Sequence, residues 1–593
     1  MQLAAGMQKK QWIVQPRDAN ASTLVRSLRV SHLLAQILVN RGITEPDDAS
    51  VFLNPKLTQL IRPELMPGAQ AAAKKITEAI NKKQRITVYG DYDVDGITSV
   101  AILWQILTLL GADVDYYIPH RINEGYGLNP QAIKKLSENG TNLLVTVDCG
   151  ITAFDAAKLV KQLGIELIIT DHHQITDTLP QADVIVHPGI DKSYQNQNSA
   201  GAMVAFKLAW AIANTVAAGA RLEPKLRRFM IDATSLAAMG TVADVVDLRG
   251  ENRILTSYGL KALPDCELPG IRALIESANL TGKELDSFHI GFRLAPILNA
   301  AGRMGHARLA VELLTSDSIA ASTKIADYLK QQNTLRQKCE KKILQHACKI
   351  ITQKGLNHPD SKSIVLAHKD WHTGIVGIVA SRLTDKFHRP TILFSMPTRN
   401  TTNDVGDSSS RTIAQGSGRS IPGFSLLDAI TACSSHLISF GGHKMAAGIT
   451  IEPENIEQFA ACFEGYAKKN IKEEDIVAKL KIDAVAPLAT FTKQTVNELK
   501  RLEPFGQGNP PPAFAAKGVR LAARPRAVGA KGDHLQISIT DNKTAVRCIG
   551  FNFAKYEKKL LENEFFNVAF QPQINHYNGN SNVEFILLDI AFE

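Results

Sequence analysis

Between residues 85 and 188 short apolar runs recur at regular intervals: RITVYG (85–90), VDYYIP (114–119), NLLVTVD (142–148), ELIITD (166–171) and DVIVHP (183–188). Segments of helical periodicity separate them. Asn129 before Pro130 opens one such helix, and Gly164 closes the one that begins after Gly150. Strand, helix, strand in this rhythm predicts parallel β-α-β units, and the nearly unbroken apolar runs predict a sheet covered on both faces.

More helices are expected from about 200 to 310, then a polar, helix-favouring stretch, Ser316 to Gln353, without Pro or Gly. That stretch suits one or two long helices joining domains. A second α/β pattern follows in SIVLA (363–367), TGIVGIVASRLTDKF (373–387) and PTILFS (390–395), and ends in a glycine-rich run at 416–448. From about 478 the pattern becomes short alternating strands with turn residues, which predicts a β-barrel or sandwich. No repeat of solenoid period is present. The fold class is therefore α/β: a parallel-sheet domain joined by a long helix to a second α/β domain, followed by a β-rich module. The boundaries read as an N-terminal segment 1–55, a first domain 56–315, a connecting helix 316–357, a second domain 358–470 and a C-terminal module 471–593.

Composition changes this picture in three ways. A chain of 593 residues with 45% hydrophobic and 21% charged residues has ample core for several domains and is neither disordered nor fibrous. Lys and Arg number 67 against 58 acidic residues, a formal +9 that tilts toward a polyanionic partner. Seven scattered cysteines without a C-x-x-C pair point to a reducing compartment, with neither a disulfide framework nor a zinc ribbon. The N-terminus lacks the basic-then-apolar order of a signal peptide. The longest uncharged stretch, Gly96 to Ala112, is short for a membrane span and reads as a buried helix.

The acidic residues fall where chemistry is expected. Asp91, Asp93 and Asp95 follow the first strand, Asp148 ends the third, and Asp171-His172-His173 ends the fourth. In an open parallel sheet the carboxyl ends of strands converge on the ligand crevice. Asp244, in MGTVADVVD, is a further candidate. A lone Asp at a strand end is commonly a cap or turn former, but so many carboxylates together repel unless a cation is present. Asp oxygens with imidazole and no thiolate suit Mn²⁺ or Mg²⁺, with enough ligands for two ions sharing Asp148. Two such ions support in-line hydrolysis of a phosphoester.

At these residues the sequence resembles the DHH phosphoesterase superfamily, and within it the single-strand-specific exonucleases. The matching blocks are VYGDYDVDGITS (88–99), IPHRINEGYGLN (118–129), VTVDCGITA (145–153), TDHHQ (170–174), GTVADVVDL (240–248) and RLAPILNAAGRMGHA (293–307). The second α/β pattern resembles the DHH-associated domain, DHHA1, in DWHTGIVGIVASRL (370–383), SSSRTIAQGSGRS (408–420) and FGGHKMAAGITI (440–451), and the C-terminal module is similar to an OB-fold. The resemblance implies Asp93, Asp95, Asp148, His172 and Asp244 as metal ligands, with Asp91 and His173 beside them orienting water or the scissile phosphate. It further implies Arg121 and Arg303 as phosphate contacts, completed by Ser409, Arg411, Gly418, Arg419, Gly442 and His443 as a cradle facing the metals. HPG at 187–189, where an Asn-Pro pair is expected, departs from the pattern without touching a ligand.

What the resemblance implies is a Mn²⁺- or Mg²⁺-dependent, 5′-to-3′ exonuclease releasing mononucleotides from single-stranded DNA in recombination, mismatch repair and replication rescue. It implies a cytoplasmic monomer meeting a single-strand-binding protein and a helicase, with no membrane. Two other readings compete: a DHH phosphodiesterase of oligoribonucleotides or cyclic dinucleotides (or a pyrophosphatase), and a DHH-fold scaffold that binds DNA without cutting. The first type is usually shorter and lacks an OB-fold, and the second loses metal ligands that are all present here. Without a G-x-x-x-x-G-K-[ST] loop a motor ATPase is disfavoured. In the C-terminal module Arg520, Arg524, Arg526 and Lys531 cluster near one strand, and Phe551 and Phe553 alternate on another, in the manner of basic grooves with stacking aromatics.

Overall fold

The computed structural model describes residues 10–592 apart from 121–123, 126, 304, 397–412 and 578. The chain divides into two compact units, one of Ile13–Lys330 with Lys481–Glu593, the other of Gln331–Leu480 with Met1–Trp12.

In the larger unit five parallel strands run in the order Val114–Tyr117, Ile86–Gly90, Leu143–Val147, Glu166–Thr170, Val184–Val186. These are the five runs anticipated from the sequence. Alternation along each strand splits the side chains between two cores. Val88, Val145, Val147 and Ile168 face the helices Ala69–Asn81, Val94–Leu109, Gly201–Ala217 and Pro224–Ala243. Tyr89, Leu144, Leu167 and Ile169 face the helices Pro130–Glu138 and Phe154–Gln162. Both faces are covered, and all carboxyl ends open on one edge. The strand order reverses between Ile86–Gly90 and Leu143–Val147, which makes the crevice beyond them the switch point of the sheet.

The C-terminal strands form a sheet of six in the order Ala484–Val485, Phe514–Val528, His534–Thr540, Ala545–Gly550, Asn580–Ala591, Phe566–Tyr577, and pairing of Phe514 with Phe570 closes it into a barrel. Helices Asn20–Leu28, His32–Asn40 and Pro46–Leu53 share its core: Leu24, Leu34, Leu38 and Phe52 pack with Leu502, Phe514, Phe570 and Phe585. The helices within residues 20–53 thus share the core of the barrel.

The 35-residue helix Ile319–Gln353 falls inside the connection expected at 316–357. The smaller unit carries a mixed sheet in the order Ser439–Gly442, Ala446–Ile451, Ala414–Arg419, Thr391–Ser395, Ile364–His368, with only the last pair parallel. Here Cys433 and Cys462 form a disulfide across 29 residues, with Cα atoms 6.0 Å apart. The scattered cysteine spacing does not signal this pair, because it depends on helix Leu426–Ala432 meeting helix Ile456–Asn470; the other five cysteines are free, so there is no disulfide framework. Among the described residues no helix is long and apolar enough to cross a membrane.

Candidate metal centre

Asp91 and Asp148 stand immediately beyond the two strands that flank the switch point, and both are buried. Asp148 adopts φ 60°, in the left-handed region. Asp93 is the N-cap of helix Val94–Leu109, with Oδ1 accepting from the N–H groups of Asp95 (3.0 Å) and Gly96 (3.1 Å). Asp95 is the second residue of that helix and is fully buried. Its two oxygens accept from the backbone of Gly201 (2.6 Å) and Ala202 (2.8 Å) at the start of helix Gly201–Ala217. Asp244 closes helix Pro224–Ala243.

These carboxylates surround one imidazole. His172 Nε2 is 3.0 Å from Asp148 Oδ1 and 3.7 Å from both Asp95 Oδ2 and Asp244 Oδ2. Ligating atoms of Asp95, His172 and Asp244 lie within 4.8 Å of one another, as do those of Asp91, Asp93 and Asp148, and those of Asp148, Asp171, His172 and His173. The structure therefore brings together Asp91, Asp93, Asp95, Asp148, His172, His173 and Asp244.

The electrostatics are those of a cluster built around positive charge. Burial and then the Asp244 charge push Asp95 up to about 7, and burial and then Asp93 raise Asp244 to about 7. Asp148 is driven well above the usual carboxylate range by burial and by Asp95, Asp93 and Asp91. Burial lowers His172, so its imidazole is neutral and available as a ligand. A divalent cation relieves each of these penalties at once, so the residues present fit such an ion.

Asp171, absent from the expected ligands, has a defined part. It accepts from the backbone of Ile151 (2.9 Å) and His172 (2.7 Å) and from His173 Nδ1 (2.7 Å). Against its burial, the hydrogen bond and charge of His173 hold Asp171 down to about 2. Against the same burial, that bond raises His173 to about 9. The pair fixes a protonated imidazole beside the carboxylates. Behind it, His187 Nε2 meets the His173 carbonyl at 2.8 Å, so the HPG departure buttresses the motif. The run D-H-H carried this signal, since the carboxylate two residues before a histidine is well spaced to orient it.

Arg303 ends helix Ala295–Arg303 and is half-buried. Its neighbour Gly302 abuts the Tyr92 carbonyl so closely that a Cβ would stand 2.7 Å from it, which seats this helix end on the Asp91–Asp93 loop. Arg121, Ser409 and Arg411 lie outside the described residues. In the smaller unit, sheet register sets Gly418 opposite Ala447 and Ala447 opposite Gly442, so Gly418, Arg419, Gly442 and His443 gather at one end of three adjacent strands. Arg419 Nη1 donates to Ser417 Oγ (3.2 Å) and the Gly418 carbonyl (2.7 Å).

A groove of about 1020 Å³ begins beside Asp244 and runs to the barrel, lined by Val245, Phe288, Phe292, Lys500, Phe505 and Phe551 among others. Phe288 and Phe292 stack at 4.8 Å yet are 57% and 68% exposed, and Phe551 is 53% exposed. Phe553, expected to alternate with Phe551 on a strand, is instead buried beyond the end of strand Ala545–Gly550, because the chain turns there. Arg520, Arg524 and Arg526 are exposed on strand Phe514–Val528. Spacing alone did not mark Phe288 and Phe292, since aromatics four apart on a helix ordinarily face a core.

The fold and cluster define a DHH-type phosphoesterase architecture. Family models match as the DHH family N-terminal domain over 85–241, the DHHA1 domain over 360–469 and the RecJ OB domain over 482–589. The chain is 35% identical over 585 residues to the single-stranded-DNA-specific exonuclease RecJ of Bacillus subtilis, covering 98% of this chain and 71% of that protein. It resembles the crystal structure of Thermus thermophilus RecJ with Mn²⁺ at a TM-score of 0.82 and 31% identity, over 98% of this chain and 80% of that one. The Mg²⁺ complex of the same protein gives 0.77 and 30%, over 98% and 78%. The chain belongs to the RecJ family of single-stranded-DNA-specific exonucleases.

Proposed function

We propose that this chain is a Mn²⁺- or Mg²⁺-dependent exonuclease that removes mononucleotides from the 5′ end of single-stranded DNA. The observation that carries the reading is the convergence of five carboxylates and His172 at the switch point, with Asp95 and Asp244 raised to about 7. Asp93, Asp95, Asp148, His172 and Asp244 would hold two ions, with Asp148 shared and Asp91 beside them. Bound there, divalent ions supply Lewis acidity for attack of water on phosphorus.

The chain's own groups do the rest. His173, protonated against Asp171, holds a proton at the edge of the cluster and attracts the scissile phosphate. Arg303, with Arg121, offers a guanidinium fork to phosphate oxygens. Ser409, Arg411, Gly418, Arg419, Gly442 and His443 supply a phosphate cradle, and the aromatic groove with the OB barrel holds the strand behind the cut. The domain boundaries anticipated from the sequence are retained, with helices 20–53 joined to the barrel. We infer further a cytoplasmic monomer that works in recombination, mismatch repair and replication rescue with a helicase and a single-strand-binding protein.

The test is digestion of strands labelled at the 5′ or the 3′ end, with Mn²⁺, Mg²⁺ or EDTA, beside a matched duplex and a diribonucleotide. Metal-dependent release of the 5′ label as mononucleotide from the single strand alone is expected. Cleavage of the diribonucleotide alone, or binding without cutting, would overturn the proposal.

A further inference from the structure

The loop that follows Asp244 packs against a turn of the C-terminal module. Past Asp244 the chain takes a left-handed step at Val245 (φ 61°) and reaches helix Gly250–Ala262 through Val246–Arg249. Three consecutive residues of this loop touch the turn at 506–508. Leu248 N–H donates to the Gln507 carbonyl at 2.9 Å, Arg249 Nε to the Gly508 carbonyl at 3.0 Å, and the Asp247 carboxylate lies against Gly508. The last contact is so close that a Cβ on Gly508, whose φ is +70°, would stand 1.5 Å from Asp247 Oδ1. On its inner side the loop is held by Asn252 Nδ2, which donates to the Asp247 carbonyl at 3.0 Å.

The turn itself is held by a set of hydrogen bonds. Gly506 and Asn509 exchange backbone hydrogen bonds at 2.9 and 3.1 Å. The fully buried Asn509 side chain donates to the Leu502 and Pro504 carbonyls, each at 2.7 Å, and accepts from Arg41. Arg253, buried on helix Gly250–Ala262, donates to the Leu502 carbonyl at 2.9 Å and the Glu503 carbonyl at 2.6 Å. Ser287 Oγ binds the Phe505 carbonyl. The turn is thus tied to the helix that follows the Asp244 loop and presses on that loop at a position only glycine can occupy.

We propose that Gly508 is a positioning residue for the metal centre: the turn 505–509 of the C-terminal module sets the conformation of the Asp244 loop and thereby the affinity for divalent metal. This rests on the reading of Asp244 as a ligand and gives the C-terminal module a part in building the centre, distinct from holding DNA. Partners of a ligand that fix its orientation commonly govern metal affinity by an order of magnitude or more.

Mn²⁺ binding to the full chain, read as the free-ion electron paramagnetic resonance signal during titration, tests it in four variants, with folding followed by circular dichroism. Gly508→Ala is expected to weaken Mn²⁺ binding about 10-fold or more. Adding Asp247→Ala, which removes the carboxylate that the new methyl strikes, is expected to restore most of it. Gly518→Ala has a similar backbone conformation (φ +60°) with nothing within 4 Å of its Cβ, and is expected to bind as the unaltered protein does. Asp244→Ala reports on the underlying reading. If it weakens binding and Gly508→Ala does not, the positioning role is overturned while Asp244 stands as a ligand. If Asp244→Ala changes nothing, the ligand assignment itself falls, and the proposal with it. Equal weakening in Gly508→Ala and Gly518→Ala, or no recovery with Asp247→Ala, also overturns it. Should Gly508→Ala not fold, Gly506→Ala, whose Cβ meets Leu248 Cδ1 at 2.6 Å, replaces it. A smaller weakening is then expected, and unchanged binding counts against the proposal.

Discussion

Asp148→Asn separates the charge of the shared carboxylate from its shape. Asp148 sits at φ 60°, where asparagine is at ease and alanine is strained, so the amide keeps the turn and removes only the charge. In the metal-free protein that charge is a liability. Its oxygens lie within 4.8 Å of those of Asp91 and Asp93, a spacing at which two unit charges repel by roughly 3 kcal/mol at an effective dielectric of about 20. Partial protonation of Asp148, which its burial and the neighbouring carboxylates favour, reduces this. The net expectation is a metal-free protein more stable by about 1–2 kcal/mol, or a few degrees in Tm. With Mn²⁺ the order reverses. The unaltered protein gains about 2.7 kcal/mol at a metal concentration 100 times its Kd, and the variant gains almost none. Thermal unfolding in EDTA and in Mn²⁺ reads both effects. A parallel digestion is expected to show cleavage reduced at least about 10³-fold with single-strand binding in EDTA retained. A variant less stable in EDTA that keeps its Mn²⁺ increment would refute the reasoning, because Asp148 would then be a structural carboxylate.

Three further outcomes are expected. Glu503, raised to about 7 by burial, with Asp286 and Glu284 adding to it against Lys500, carries a penalty absent below its ordinary 4.5 and complete above about 7, since the folded state holds the proton longer. Glu503→Gln should match the unaltered stability at pH 4.5 and exceed it by about 2 kcal/mol at pH 8, and an equal gain at both pH values in denaturant titrations would contradict this. Arg253→Met strips the donor from the carbonyls of Phe52, Arg501, Leu502 and Glu503 and should cost about 3–5 kcal/mol, read as a lowered Tm, whereas a loss below 1 kcal/mol would deny the clamp. Phe288→Ala and Phe292→Ala, both exposed, should leave stability within about 0.5 kcal/mol. Each should weaken single-strand binding by about 1–3 kcal/mol, and unchanged affinity in fluorescence anisotropy would remove the groove from the strand's path.

The parallel sheet and the acidic cluster were legible because both are written locally. Strand runs such as NLLVTVD end in the residue that the sheet edge then presents, so periodicity and chemistry coincide at Asp148 and at Asp171-His172-His173. What escaped depends on pairs remote in the chain. Leu24 and Phe52 meet Phe514 and Phe570 across more than 400 residues, and nothing in the N-terminal helices announces that partner. Asp93 shows a local pattern answering two demands, since it caps a helix with one oxygen while facing the cluster. Asp171 passed unremarked as a ligand because its work is to orient His173, a role visible only once Nδ1 is seen at 2.7 Å. The exposed Phe288 and Phe292 carry no signal in the sequence, and only the groove beside Asp244 gives them a use.

The most direct measurement is an anomalous difference map at the manganese edge from crystals of the protein grown with Mn²⁺. Two peaks are expected, one on either side of the shared Asp148 among Asp93, Asp95, His172 and Asp244, with both weakened or lost in Asp148→Asn. Manganese bound elsewhere, or no peak at the sheet edge under conditions in which the enzyme digests single strands, would contradict a metal centre built at the switch point.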